Sequence, residues 1–253
     1  KGKLWRDIEK PQYHANQGFK WEGWFSNGIE LRDDDVINNN MAVVGQFISE
    51  NKCAVRFEAT VGGKIEGDLT VFVSKNTLWK DIPKPEWTEG QNYVFVGWYD
   101  NQFRAQLCDS DEIKEDIDVV GYFVEETNSD CFEFQKIENT NNVRISKCKD
   151  LKGENVVVIP KHAIIENETY NVTEIGNEAF YENADIMNVF IPYFITNIGE
   201  KAFANCNSLY KVNFNLCTDK LIIQNQAFTG SSLTSVIIPK NVQCTTDSNA
   251  FEG

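Results

Sequence analysis

The chain is poor in cations, in histidine and in long apolar runs. Its 253 residues carry 24 Lys and Arg against 38 Asp and Glu, a formal charge of −14. Nucleic acid and anionic membrane both need clustered Lys and Arg to neutralise phosphate, so this balance argues against either as a partner. No apolar run approaches the roughly 18 residues needed to span a bilayer, and no transmembrane segment is expected. The opening KGKLWRDIEK lacks the apolar region of a secretory signal, which leads us to expect a mature or truncated fragment. The seven cysteines are Cys53, Cys108, Cys131, Cys148, Cys206, Cys217 and Cys244, with no C-x-x-C among them. Neither a dense disulfide framework nor a zinc site fits that spacing, and most are expected to act as small buried hydrophobes.

Catalytic constellations are missing too. There is no Gly-x-Ser-x-Gly elbow and no His-Glu-x-x-His. Val61-Gly62-Gly63-Lys64-Ile65 lacks the first Walker glycine and the following Ser/Thr, so it reads as a hairpin turn. His14 is expected in a solvated loop and His162 on a turn of the repeat array, with neither near a cysteine that could serve as nucleophile. The acidic runs Asp33-Asp34-Asp35 and Asp109-Ser110-Asp111-Glu112 offer oxygen ligands but lack the frame of a calcium loop, and read as solvated turns. Asn167-Glu168-Thr169 and Asn171-Val172-Thr173 are glycosylation sequons, informative only for a eukaryotic source. The expectation is a protein that is not an enzyme and holds no cofactor or metal.

What the chain does have is 42% hydrophobic residues, 12% aromatics and internal repetition. Leu4-Trp5-Arg6-Asp7-Ile8-Glu9-Lys10-Pro11 recurs 74 residues later as Leu78-Trp79-Lys80-Asp81-Ile82-Pro83-Lys84-Pro85. Phe19 to Phe25 matches Tyr93 to Tyr99 at the same offset, and Asp34 to Phe47 matches Asp111 to Phe123 after a two-residue slip. Two copies of one module thus fill the first half, the second complete from about Cys53 and the first beginning in its own middle. In the complete copy, Ala54–Ala59 alternates with period two as a half-buried strand and Leu69–Val73 returns from the turn. Ser74 is expected to cap a short helix ended by Pro83 and Pro85, with strands again at Tyr93–Tyr99 and Val119–Phe123. The order is ββαββ.

Phe95, Gly97, Trp98 and Tyr99, with Trp21, Gly23, Trp24 and Phe25 in the first copy, make this module resemble the internalin-type B-repeat. That resemblance implies a small β-grasp-like domain, often tandem, in bacterial cell-surface proteins. The tryptophans are expected to pack in the core, with a sugar-stacking platform as the alternative.

A second repeat fills the other half. Ile175-Gly176-Asn177-Glu178-Ala179-Phe180 is followed by Ile198–Phe203, Ile223–Phe228 and Asn249-Ala250-Phe251, with phenylalanine spacings of 23, 25 and 23. Between them run Ile186-x-x-Val189-x-Ile191-Pro192, Leu209-x-x-Val212-x-Phe214 and Leu233-x-x-Val236-x-Ile238-Pro239, with Val157-Val158-Ile159-Pro160 an earlier member. A period of 20–29 with one such strand per unit is that of a leucine-rich-repeat solenoid, whose coils stack to fuse their apolar columns into one core. The pattern, with Cys206 in its place before Leu209, resembles the BspA-like class of these repeats. Asn215 in place of Pro and Thr246 in place of Ile depart from it. The array stops at Gly253 without a polar cap, so the natural protein is expected to continue.

The fold expected is therefore β-rich and multidomain. A partial module at 1–50 and a complete one at 51–126 precede a leucine-rich-repeat domain at 127–253. The two resemblances imply a non-enzymatic cell-surface or secreted adhesion protein, recognising host matrix proteins or other cells. Its alternatives are a structural spacer presenting another domain and a glycan-binding accessory protein. Alternation along the solenoid strands turns Val and Ile inward and leaves Val158, Phe190, Asn213 and Ile237 as an outward column. Asn188, Lys211 and Ser235 flank it, then Met187, Tyr210 and Thr234. Phe190, Tyr210, Asn213, Ile237 and Lys211 are the candidate protein-binding residues, unless the strands around Phe132 or the second module fold over them. The first module, lacking two strands, is expected to expose a sheet edge, filled by upstream sequence or a neighbouring molecule.

Overall fold

The computed structural model describes residues 2–102, 104–214, 220–238, 242–244 and 249–251. Asn215, Pro239 and Thr246 lie outside the described residues, as does the side chain of Cys244. Contacts group the chain into two compact units, residues 1–59, 65–87 and 98–121 in the first and 60–64, 88–97 and 122–253 in the second.

The first unit carries the duplication. Strands β1 (Lys3–Leu4), β2 (Phe19–Ser26), β3 (Ile29–Glu30), β4 (Val36–Ile37) and β5 (Val44–Ser49) come from the first copy. The second supplies β6 (Lys52–Ala59), β7 (Gly63–Glu66), β8 (Thr70–Ser74), β9 (Thr77–Leu78), β10 (Glu86–Glu89), β11 (Tyr93–Asp100), β12 (Glu112–Ile113) and β13 (Ile117–Glu125). The sequence offset reappears element by element. β1 pairs antiparallel with β4 as β9 does with β12. Lys10 Nζ donates to the Trp5 and Ile8 carbonyls and lies 4.5 Å over the Trp5 ring, and Lys84 does the same over Trp79 at 4.4 Å. The acidic runs gain a structural role in both copies. The Asp35 carboxylate accepts the Arg32 N–H at 2.7 Å, and Asp111 accepts that of Cys108 at 2.7 Å, each closing the turn whose next carbonyl contact anchors Trp5 or Trp79.

The expected helix after Ser74 does not form, which corrects the ββαββ order. No α-helix occurs among the described residues. Asn76 turns the chain at positive φ and donates to the Ile113 carbonyl, Trp79 donates to that of Asp111, and only a 3₁₀ turn at Trp79–Asp81 remains before the prolines. Tertiary pairing with β12 outcompetes a helix too short to be stable alone. β6 is the centre of the second copy: it pairs antiparallel with β8 and parallel with β13, Ile117–Gly121 against Val55–Ala59. Its Phe57 packs on Trp79 and Trp98, at ring-centroid distances of 6.1 and 5.2 Å.

The first copy has no strand equivalent to β6 among the described residues. There β2 pairs with β3 and β5, and Val44 on the outer strand is 65% exposed. Arg56 of β6 instead reaches to Glu22, Glu30 and Asp118, and Lys20 pairs with Asp116 at 2.8 Å, so ion pairs hold the two copies together within this unit.

The second unit contains β14 (Phe132–Lys136), β15 (Asn142–Cys148), β16 (Val156–Val158), β17 (His162–Ile165), β18 (Glu168–Ile175), β19 (Asn188–Ile191), β20 (Asn197–Ile198), β21 (Lys211–Phe214), β22 (Leu221–Ile223) and β23 (Val242–Cys244). The repeats through β21 and β22 give two strands each rather than one. β16, β19 and β21 make a parallel three-stranded sheet, and β15, β18, β20, β22 and β23 pair in parallel within a seven-stranded one. β20, β22 and β23 escaped the periodicity because two or three residues are too few to show a period. Between the sheets Phe180, Phe203, Phe228 and Phe251 stack face to face, with centroids 4.6, 5.1 and 5.1 Å apart and planes within 9°.

Backbone bonds lock this column. Phe180, Phe203 and Phe228 each donate to the carbonyl of the Ala in the next repeat, at 2.7–2.8 Å. The Ala is fully buried because the next repeat's turn lies against it. Gly199 is required for the same reason: a Cβ there would fall 2.6 Å from the Asn177 nitrogen. Since Phe203 has no exposed surface, Phe203→Ala is expected to cost about 3–5 kcal/mol in chemical denaturation; a loss under about 1 kcal/mol would show the site collapses without penalty.

Candidate functional site

Register places the outward residues of the three-stranded sheet side by side. Val156 pairs with Asn188 and Asn188 with Lys211; Val158 pairs with Phe190 and Phe190 with Asn213. Just before the strands, the Met187 N–H donates to the Asn155 carbonyl and the Tyr210 N–H to that of Met187, so these side chains form the next rung. Val157, Val189 and Val212 turn into the core, as alternation requires. On the outer face Phe190 and Asn213 are half-buried, Lys211 is exposed, and Tyr210 is 52% exposed. The Asn213 amide turns back across β19, donating to Asn188 Oδ1 and to the Val189 carbonyl.

Two members of the column differ from expectation. Val158 is buried, because Thr127 runs along β16: its N–H donates to the Val158 carbonyl at 3.0 Å and its hydroxyl accepts the Val158 N–H at 2.9 Å. Residues 233–238 form no strand, and no strand beyond β21 joins that sheet among the described residues. Ile238, expected inside, is consequently 42% exposed beside Ile237 at 54%. The candidate face is three strands wide, with Phe190 at its centre and Ile237 beyond its edge.

The tryptophans are engaged in packing. Trp5, Trp79 and Trp98 are buried, and Trp21 is stacked on Tyr13 at 3.7 Å with its ring edge close to Gly45. Cys206 behaves as a core residue: its thiol is fully buried, donates to the Phe180 carbonyl and is pushed up to about 11 by burial. Burial pushes Cys148 further, to about 12. Such thiols are protonated at neutral pH and are poor nucleophiles. No group of three or more His, Cys, Asp or Glu able to hold a metal occurs among the described residues.

A polar cleft of about 660 Å³ in the second unit was invisible in the sequence. It is lined by residues 89–93 and 125–129 together with Pro160, Lys161, His162, Ile164 and Thr169. The nearly buried Glu89 carboxylate accepts the Phe95 N–H at 2.9 Å and an ion pair from Lys161. Lys161 Nζ also donates to Tyr193 Oη, and its backbone N–H donates to Glu126 Oε1 at 2.7 Å. Burial opposes the Lys161 charge, but Glu89 and Tyr193 outweigh it and its pKa is raised. His162 opens β17 rather than lying on a turn; burial and the Lys161 charge lower its pKa. Burial raises Glu126, partly offset by the Lys161 N–H and reinforced by Glu89. Glu89 ends β10 and Lys161 lies just before β17, 72 residues away and without a shared motif, so no sequence signal joins them.

Residues 161–253 match the family model "BspA type Leucine rich repeat region" in six copies. Among solved structures, a leucine-rich repeat protein from Bacteroides capillosus is 28% identical over 47% of this chain and 86% of its own, with a TM-score of 0.42. The T. pallidum leucine rich repeat protein is 24% identical over 47% of this chain and 52% of its own, TM-score 0.41. A leucine rich cell surface protein from Faecalibacterium prausnitzii is 28% identical over 45% of this chain and 30% of its own, TM-score 0.39. No curated protein matches the sequence.

The cleft gives a pH prediction. Glu126 has a folded pKa above its ordinary 4.5, so the folded state holds that proton more tightly than the unfolded chain. The associated stability is present below the ordinary value and lost as pH rises through the folded one. Glu126→Gln keeps an acceptor for the Lys161 N–H and removes the titration. Its melting midpoint should exceed that of the parent at pH 7 and equal it at pH 4; equality at both would contradict the assignment.

Proposed function

We propose that this chain is a non-enzymatic binding protein of the cell surface or extracellular space, which recognises a protein ligand through the outer face of β19 and β21. The single observation carrying this reading is the rung-by-rung adjacency of Met187, Phe190 and Tyr210 around exposed Lys211. Parallel strands lie about 4.8 Å apart, so these side chains make one surface rather than scattered points. Apolar groups gathered on an outer sheet face, with polar residues between them, suit protein contact. Phe190, Tyr210, Asn213, Ile237 and Lys211 are the residues we assign to it, with a matrix protein or a protein on another cell as the ligand class. The BspA-type match over 161–253 and the cell-surface description of the F. prausnitzii protein support the location.

We further read the first half as tandem B-repeat-like, β-grasp-like modules at 1–50 and 51–126, and 127–253 as a solenoid. The duplicated lysine-over-tryptophan contacts support the tandem reading, and the parallel phenylalanine column supports the solenoid. A spacer that presents another domain is the second reading, favoured by that same unbroken column, which would resist bending. A glycan-stacking role has less support, because Tyr13 already stacks on a face of the Trp21 ring.

Surface plasmon resonance against immobilised matrix proteins, with the full chain as analyte, tests the assignment. Phe190→Asp should weaken binding at least tenfold while leaving the melting midpoint within a few degrees, since Phe190 lies outside the core. Unchanged binding by Phe190→Asp, or no binding by the parent to any protein surface, would favour the spacer.

A further inference from the structure

β17 and β18 form a hairpin closed by Glu166 and Asn167, both at positive φ, 54° and 67°. A two-residue turn of that kind closes on a hydrogen-bonded pair, here Ile165 and Glu168. Antiparallel ladders alternate, so the next hydrogen-bonded pair is Ala163 with Tyr170, and the Lys161 carbonyl beyond it again faces β18. The Val172 N–H does donate to the Lys161 carbonyl, at 3.0 Å. The backbone N–H and C=O groups of His162 and Ile164 therefore point away from β18. No other strand takes that edge among the described residues.

The side chains follow the same alternation. Ala163 is buried and Ile165 packs against the core, so His162 and Ile164 stand on the outer face, where Ile164 is 72% exposed and lines the cleft with Thr169. A cleft of about 660 Å³ lies in the range that small ligands and short segments occupy. Its charge is one-sided. Glu89, Glu125 and Glu126 line it against Lys161, and Lys161 is already paired with Glu89. Burial and the Lys161 charge favour neutral His162. An open strand edge, the exposed Ile164 side chain beside it and two carboxylates, Glu125 and Glu126, with no ion-paired cation among the described residues select an extended, positively charged occupant.

We propose that an extended segment of a protein partner, bearing a basic side chain, adds to the β17 edge inside this cleft. Its backbone pairs with His162 and Ile164 and its cation faces Glu125 and Glu126. This is a second contact surface, independent of the β19–β21 face.

The test titrates the full chain with an end-blocked hexapeptide of alternating valine and lysine. Controls are the same peptide with glutamate for lysine, and the lysine peptide N-methylated at alternate backbone nitrogens. The lysine peptide should bind at least tenfold more tightly than the glutamate one, weaken as salt rises, and lose binding on N-methylation. In amide hydrogen exchange, His162 and Ile164 should gain protection while Ala163 does not. Glu125→Lys, a change at an exposed rim position, should weaken the lysine peptide at least fivefold. Equal binding of the two unmodified peptides, indifference to N-methylation, no new protection at His162 and Ile164, or no binding at millimolar concentration would each overturn the proposal.

Discussion

The face-to-face stacking of Phe180, Phe203, Phe228 and Phe251 sets the geometry of the second unit. Rings 4.6–5.1 Å apart match the spacing of parallel strands, so one column keeps two sheets in register at once. The small Ala before each Phe lets the next repeat's turn approach closely enough for its carbonyl to accept the Phe N–H. Without that approach the rings would part and the short strands, two to four residues each, would lose the neighbours that satisfy their backbones. A single repeat buries almost nothing by itself, and its stability comes from the repeats beside it. The outer face around Phe190 inherits its order from this interior column.

The first unit is held differently. There the repeated device is a lysine clamped over a tryptophan and tied to two backbone carbonyls, with an aspartate closing the turn opposite. These polar contacts fix chain direction at the module's entry rather than filling a core. The two copies then join through Arg56, whose charge sits among Glu22, Glu30 and Asp118. Glu22 is the buried partner, and desolvation raises its pKa against the pull of Arg56. Such a pair adds little stability, because the cost of desolvating its charges offsets their attraction.

Much of this was legible before the structure. Both repeats were visible as offsets, and Ala-Phe announced its own burial because the same two sizes recur where only those sizes fit. The inward Val column followed from alternation alone. The helix after Ser74 was misread because local capping and proline signals say nothing of β12, which arrives more than 30 residues later and claims the same backbone. Val158 looked outward because Thr127, 31 residues upstream, cannot be foreseen as its edge partner. The β17 cleft was missed for the same reason: Glu89, Glu126 and Lys161 meet at the ends of strands far apart in sequence, where no period links them. Local pattern predicts the elements well, and pairings between distant segments decide the sites.

The claim that the phenylalanine column organises the array is tested most directly by a double-mutant cycle on Phe203 and Phe228, whose rings are stacked at 5.1 Å with planes 2° apart. Leucine at each position keeps the site apolar and removes the ring face. Stability is measured by chemical denaturation for the parent, both single variants and the double variant. Stacking that matters beyond burial predicts a coupling energy of about 0.5–1.5 kcal/mol. Additive losses, with coupling near zero, would contradict the account and reduce the column to four independent space-fillers.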